Sequence, residues 1–478
     1  MTRSWTNLAD LDPHLPLGPL DGRYRPVAAP LVDYLSEAAL NRYRVHVEVE
    51  WLIQLADGGF IPGVARLSDA DRGYLRAIPA SFGSAEIAEL AETERVTVHD
   101  VKAVEYFLKK RLTDAAAALP GSALPNLGDL VHFACTSEDV NNLSYALAIG
   151  EAVQNVWYPA AAALVADLAT LARATANTAM LARTHGQPAT PTTLGKELAV
   201  SATRLTRQLR RIDRQEVLGK INGATGTFGA HVAAVPDADW IGISQTFVER
   251  LGLVWNPLTT QIEPHDWQAE LYSDIARFNR ILHNVATDFW TYISLGYFAQ
   301  VRGQGAVGSS TMPHKVNPIR FENAEANLEI SCALLDSLAA TLVTSRMQRD
   351  LTDSTTQRNV GVALGHSMLA ISNVRSGLAG LDVDPAALAR DLDANWEVLG
   401  EAIQTAMRAA SLAGVPGMEN PYERLKDLTR GRRVDADALR AFVATLGLPA
   451  DVAARLEALT PASYTGLAAG LVDFLEAE

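Results

Sequence analysis

The sequence predicts an all-α protein built around a bundle of long helices. Two observations carry this reading. No proline lies between Pro191 and Pro236, between Pro264 and Pro313, or between Pro318 and Pro385, and proline is the residue that most strongly interrupts a helix interior. Within those gaps, apolar residues recur at steps of three and four, the period of a helix with a buried face. Strand signals compete weakly, because alternating Val, Ile, Thr and Tyr runs are scarce while Ala and Leu abound.

The 478 residues suggest two to four domains at roughly 100–200 residues each. Loop-like Pro120–Gly128 and Gly380–Pro385 place the boundaries, giving an N-terminal helical domain (1–125), a central bundle (126–378) and a C-terminal helical domain (379–478). Apolar residues make up 48% and charged residues 20%, an ordinary globular balance. The net charge of −14 disfavours non-specific binding to nucleic acid. The two cysteines, Cys135 and Cys332, fit neither a disulfide framework nor a metal-ligand spacing, so no metal is expected. The polar N-terminus lacks a secretory h-region and no window approaches a membrane span, so a cytoplasmic protein is expected.

Taken along the chain, polar islands alternate with apolar helices. Asp21-Gly22-Arg23-Tyr24 sets an arginine beside a phenol. Thr97–Glu105 contains adjacent His99 and Asp100, which form either a plain helix N-terminal turn or a bend or helix start that turns both inward. His132–Asn142 reads as a helix start, with Thr136 and Ser137 followed by acids. Its free amides also suit an anion. Leu164, Leu168 and Leu171 mark a helix. Arg183–Pro191 is a second bend, placing His185 at a loop–helix junction; imidazole exchanges protons near neutrality.

Leu194, Leu198, Leu205, Leu209 and Ile212 then line one helix face, and Phe278, Leu282, Val285, Phe289 and Ile293 another. Gly308-Ser309-Ser310-Thr311-Met312-Pro313-His314-Lys315-Val316-Asn317-Pro318 cannot build core. Its hydroxyls, amides and cation suit a carboxylate whose charge grows during reaction. Two further helix faces follow: Phe321, Ala324, Leu328, Leu335, Leu338 and Leu342, then Val360, Leu364, Met368, Ile371, Val374 and Leu378. The first also carries Ala326, Ile330, Ala333 and Leu334 off that face, so it has apolar surface to bury elsewhere. Between them, Ser345–Asn359 gathers Arg346, Arg349 and Arg358 with hydroxyls including Ser354. That segment is either a phosphate site or a salt-bridged turn around Asp350 and Asp353.

The Gly308–Pro318 string resembles the signature of the fumarase/aspartase superfamily. Thr136–Asn142, Arg183–Pro191 and Thr259–Asp266 narrow the resemblance to its adenylosuccinate lyase family, in the longer bacterial form, over nearly the whole chain. The resemblance implies elimination of fumarate from adenylosuccinate and from the succinylated carboxamide ribotide SAICAR, without a cofactor. It makes Ser309 the base and His185 the acid, with Lys315 and Asn317 stabilising the dianion formed. It assigns the succinyl group to Thr136, Ser137 and Gln261, and phosphate and ribose to Arg23, Tyr24, Arg349, Ser354 and Arg358. His99 and Asp100 would orient the nucleotide, and Ser310 and Asn323 would touch substrate. It also implies a homotetramer with a twenty-helix core and sites shared by three chains. One departure stands out: Val98 occupies a position where this branch often carries asparagine. Two rival readings are another superfamily member such as an argininosuccinate lyase, and a non-catalytic homologue that kept the fold.

Overall fold

The computed structural model describes residues 16–300, 312, 315–429 and 434–475. Its helices are α1 (Arg25–Leu35), α2 (Glu37–Gly58), α3 (Asp69–Ala80), α4 (Ser84–Thr97), α5 (Asp100–Ala118), α6 (Ser137–Ala152) and α7 (Tyr158–Ala174). There follow α8 (Leu194–Asp213), α9 (Gly229–Ala234), α10 (Trp240–Arg250), α11 (Asp266–Ser294), α12 (Ile319–Leu342), α13 (Thr352–Gln357) and α14 (Val360–Leu378). Six more helices, α15 (Pro385–Asp393) to α20 (Ala468–Leu471), complete the set. The architecture is all-α as expected, and the described strands are two or three residues long. No helix among the described residues is long and apolar enough to cross a membrane.

The chain forms two compact units, each assembled from three stretches. The first takes the chain up to Ala161, Gln208–Arg280 and Ala326–Ser372, and the second takes Ala162–Arg207, Ile281–Glu325 and Asn373 onward.

In the first unit the periodic apolar residues are the core. Leu209, Ile212, Phe278, Leu328, Leu335 and Leu364 are all buried, each contributing about 1.5–3 kcal/mol by leaving water. A polar thread runs through this core. Trp157 Nε1 donates to Ser367 Oγ (2.8 Å), Ser367 Oγ to Asn279 Oδ1 (2.8 Å), Asn279 Nδ2 to Ser331 Oγ (3.0 Å) and Ser331 Oγ to the Ala363 carbonyl (2.7 Å). Each bond is satisfied by one partner, so the thread fixes helix register where apolar contacts alone would tolerate sliding. Helix α2 starts at Ser36, whose hydroxyl accepts from the Ala39 amide, and ends at Gly59, which takes a left-handed φ of 68°. Thirteen of its residues are buried, so it is covered on several faces.

In the second unit Leu194, Leu198, Leu205, Leu282, Phe289, Phe321 and Val374 are buried. Phe289 and Phe321 stack with centroids 5.4 Å apart. A separate C-terminal cluster packs Trp396, Leu399, Ile403, Met407, Leu439 and Val443 together.

Candidate active site

The sequence-predicted helix start at Thr136 is formed as expected. Thr136 is the N-cap of α6, and its amide donates to Asp139 Oδ2 (2.9 Å), the return half of a capping box. Among the described residues, the Ser137 and Glu138 amides have no backbone acceptor, as the first turn of a helix requires. Thr136 and Ser137 are half-buried at this end, where free amides and the positive helix end coincide.

Beneath them lies a fully buried ion pair, Asp139 with Lys220 at 2.8 Å, both side chains 0% exposed. The same carboxylate accepts from the amides of Asn222 (2.9 Å) and Gly223 (3.1 Å). Strands β5 (Leu218–Gly219) and β6 (Val254–Trp255) pair in parallel and bring the two flanking loops side by side. Asn222 Nδ2 then donates to Thr259 Oγ1 (2.8 Å), and Gln261 Nε2 donates to the Ala224 carbonyl (2.9 Å). At Gly226 the backbones approach so closely that a Cβ would lie 2.4 Å from the Thr259 carbonyl oxygen. Cys135, next to Thr136, is no nucleophile: burial pushes its thiol well up, and Asp139 and Glu48 add to this.

Arg349 joins this wall. Its guanidinium meets Glu138 Oε1 at 2.6 Å and Asp353 at 3.8 Å. The arginine segment is a salt-bridged turn, with Arg346 on Asp350 at 3.3 Å, and it sets one guanidinium beside the α6 start. Ser354, in α13, donates its amide to Asp353 Oδ1 (2.6 Å). Arg358 caps the end of α13, reaching Glu37 at 2.5 Å and Asp100 at 3.4 Å.

His99 and Asp100 form a helix N-terminal turn. His99 is the N-cap of α5, its Nδ1 accepting from the Lys102 amide (3.1 Å), and the ring is half exposed. Asp100 Oδ2 accepts from Arg44 at 2.7 Å. Burial opposes ionisation of Asp100, but the Arg44 charge, the Val101 amide and Arg358 outweigh it, so its pKa is lowered. Arg23 and Tyr24 sit in the turn entering α1, with the guanidinium 5.8 Å from the neighbouring ring centroid.

The remaining residues belong to the second unit. His185 does not lie at a loop–helix junction. With Gly186 it forms the two-residue turn of a hairpin between β2 (Arg183–Thr184) and β3 (Gln187–Pro188). Both turn residues have positive φ, 53° and 75°, the geometry of a tight hairpin turn matched to strand twist. His185 is exposed and has no partner among the described residues. Arg183 at the hairpin base is anchored to Asp391 at 2.6 Å. Lys315 and Asn317 are exposed in the segment before α12. Asn323, on α12, accepts from Asn373 Nδ2 (2.9 Å). Ser309 and Ser310 lie outside the described residues.

Sequence reasoning missed Arg44, Glu48, Glu138, Lys220 and His132, which hold the wall of the first unit. His132 and Glu138 stood inside a recognised island, but nothing in sequence distinguishes a buried charge from a solvated one. Among the described residues, no group of three or more His, Cys, Asp or Glu side chains is gathered to hold a metal ion.

Comparison with known proteins places this geometry. The lyase family model matches residues 22–331, and the adenylosuccinate lyase C-terminal model matches residues 345–465. The adenylosuccinate lyase of Escherichia coli strain K12 is 49% identical over 460 residues, covering 96% of this chain and 98% of its own length. That of Vibrio cholerae is 48% identical at the same coverage. Among solved structures, the fumarate lyase of Mesorhizobium sp. BNC1 superposes with a TM-score of 0.73 over 93% of this chain and 96% of its own, at 20% identity. The 3-carboxy-cis,cis-muconate lactonizing enzyme of Pseudomonas putida reaches 0.69 at 20% identity, covering 93% of this chain and 95% of its own. These two speak for the fold alone. With a lyase model over more than half its length and adenylosuccinate lyases matching it nearly end to end, the chain belongs to the adenylosuccinate lyase family.

Proposed function

We propose that this chain catalyses the reversible β-elimination of fumarate from adenylosuccinate, giving AMP, and from SAICAR, giving AICAR, in purine nucleotide biosynthesis. The observation that carries the reading is the α6 start, where first-turn amides without backbone acceptors and the half-buried Thr136 and Ser137 stand beside Arg349. That is a receptor for carboxylates, and it coincides with Thr136 and Ser137, the residues that the family resemblance assigns to the succinyl group.

In this reading Ser309 removes the proton beside a carboxylate and His185 protonates the departing nitrogen. Exposure of His185 on a rigid turn suits it to reach a bound substrate. Lys315 and Asn317 stabilise the dianion, and Ser310 and Asn323 contact substrate. Gln261 completes the succinyl subsite. Arg23, Tyr24, Arg349, Ser354 and Arg358 take phosphate and ribose, with His99 and Asp100 orienting the nucleotide. The proposed chemistry uses no cofactor or metal.

The three-domain division at 125 and 378 belongs to the same reading, as do a cytoplasmic location and a homotetramer with shared sites. Exposed Val200 on α8, Trp290 on α11, Ile330 on α12 and Val362 on α14 support association, since each leaves apolar surface on a long helix. A spectrophotometric assay decides the function. Adenylosuccinate and SAICAR should each yield fumarate and argininosuccinate should not; turnover of argininosuccinate alone would replace the reading.

A further inference from the structure

We propose that a buried polar stripe on α2, centred on Glu48, positions the substrate-binding wall of the first unit. The inference rests on the reading of Thr136 and Ser137 as substrate contacts. Arg44, Glu48 and Trp51 follow one another at steps of four and three, so they share one face of α2. All three are buried, at 3%, 1% and 1% exposure, among Val45, Val47, Val49 and Leu52. Each reaches a different piece of the wall. Arg44 donates to Asp100 Oδ2 (2.7 Å) on α5 and to Asn141 Oδ1 (2.9 Å) on α6. Glu48 accepts the His132 amide on Oε2 (3.0 Å) and meets His132 Nδ1 on Oε1 (2.5 Å). Trp51 Nε1 donates to the Phe133 carbonyl (3.1 Å).

The segment so held is one that would not keep its shape alone. His132 and Ala134 both adopt left-handed φ, 60° and 59°, without being glycine. Such strain persists only where surroundings over-determine it. Thr136 and Ser137 follow directly, so relaxation of 132–135 would swing the hydroxyls and amides of the α6 start. Packing does not explain Glu48. A leucine would fill the position without the desolvation cost of a buried carboxylate. Its bonds to one histidine, backbone and ring together, make sense as a clamp. Displacement of about 1 Å at a binding group is enough to weaken function on the order of a hundredfold.

The test combines steady-state kinetics with peptide-resolved amide exchange on the full chain carrying Glu48→Ala, Glu48→Gln or Trp51→Phe. Glu48→Ala should raise KM for adenylosuccinate at least tenfold with kcat within threefold, because contacts made equally in ground and transition state appear in KM. It should speed exchange across 132–137 while leaving 360–378 unchanged. Glu48→Gln keeps an acceptor for the His132 amide and should restore KM to within threefold. Trp51→Phe, which removes one hydrogen bond, should raise KM about threefold, and it decides the matter if Glu48→Ala does not fold. The proposal is overturned if KM stays within twofold of wild type in Glu48→Ala and Trp51→Phe, whether or not exchange changes, or if exchange rises equally throughout. An inactive wild type would instead count against the proposed function, and local exchange would still read the clamp.

Discussion

The wall of the first unit and the His185 turn of the second unit are built on opposite principles. The wall is fixed by buried charge: Asp139 and Lys220 are both fully enclosed, and Arg349 leans on Glu138, whose side chain is 5% exposed. The turn itself is set by backbone geometry, with His185 and Gly186 at positive φ and an imidazole in the open, above a base that Arg183 ties to Asp391. The proposed substrate-holding groups are thus preset by ion pairs that also hold the fold, whereas the proposed proton donor stands exposed on its turn. Damage to each region should read out in a different measurement.

The largest expected effect is catalytic. His185→Ala should lower kcat by about 10³-fold, in the range of a lost general acid, while stability changes by about 0.5 kcal/mol or less, as for an exposed site. Ser309→Ala should behave likewise in kcat. Urea melts beside single-turnover kinetics would check both. A strongly destabilised His185→Ala would break the comparison by showing that the turn is a structural element.

Asp139→Ala should do the reverse. It strands Lys220 in the interior and removes acceptors from the Asn222 and Gly223 amides. Breaking a buried pair in this way costs about 3–5 kcal/mol. A loss of less than about 1 kcal/mol in a urea melt would mean that Lys220 finds water or another partner, and the wall is less rigid than the contacts suggest.

How much of this was legible in sequence follows the same division. The five periodic apolar sets became α7, α8, α11, α12 and α14, because repeated spacing over several turns reports a buried face directly. The Thr136 start was legible because capping is local chemistry. The hairpin at His185 was not: Arg-Thr and Gln-Pro flanks carry no apolar alternation, so only the His-Gly pair hinted at a turn. Arg44 and Glu48 were passed over since Arg-Val-His-Val-Glu-Val-Glu alternates charge with valine and looks half solvated. Their burial depends on α5, α6 and the 132–135 segment, which local sequence does not encode.

A smaller effect should appear in the pH dependence of stability. Burial alone would lower the His132 pKa, but the hydrogen bond and charge of Glu48, with Glu105 from α5 and Asp139 from α6, outweigh it and leave it raised. A raised histidine stabilises fully below its unfolded value of about 6.5 and loses that contribution as pH climbs through the folded value. The melting temperature should therefore fall on the alkaline side of about pH 6.5, and Glu48→Gln should flatten that limb. A wild-type limb already flat would show that His132 is neutral in the clamp, leaving the backbone bond to Glu48 as its working part.

The smallest effect sharpens the comparison at a single backbone angle. Val98 and His185 share φ of 53°, yet they differ in what that angle costs. Histidine visits the left-handed region with some frequency, whereas a β-branched residue there is an outlier. Val98 ends α4, its amide bonded to the Glu94 carbonyl at 2.7 Å, and its side chain is 87% exposed. At that exposure the valine gains little packing from the described residues, and the turn delivers His99 to the start of α5 either way. Val98→Asn should therefore stabilise the protein by about 1 kcal/mol, the scale of the left-handed penalty that asparagine relieves. KM for adenylosuccinate should stay within twofold if only the backbone at 98 meets substrate. Urea melts and kinetics on the one variant test both statements. A variant that is less stable than wild type would show that the valine side chain has a packing partner beyond the described residues. The strain at 98 would then be held in place by that partner, as the strain at 132 and 134 is held by α2.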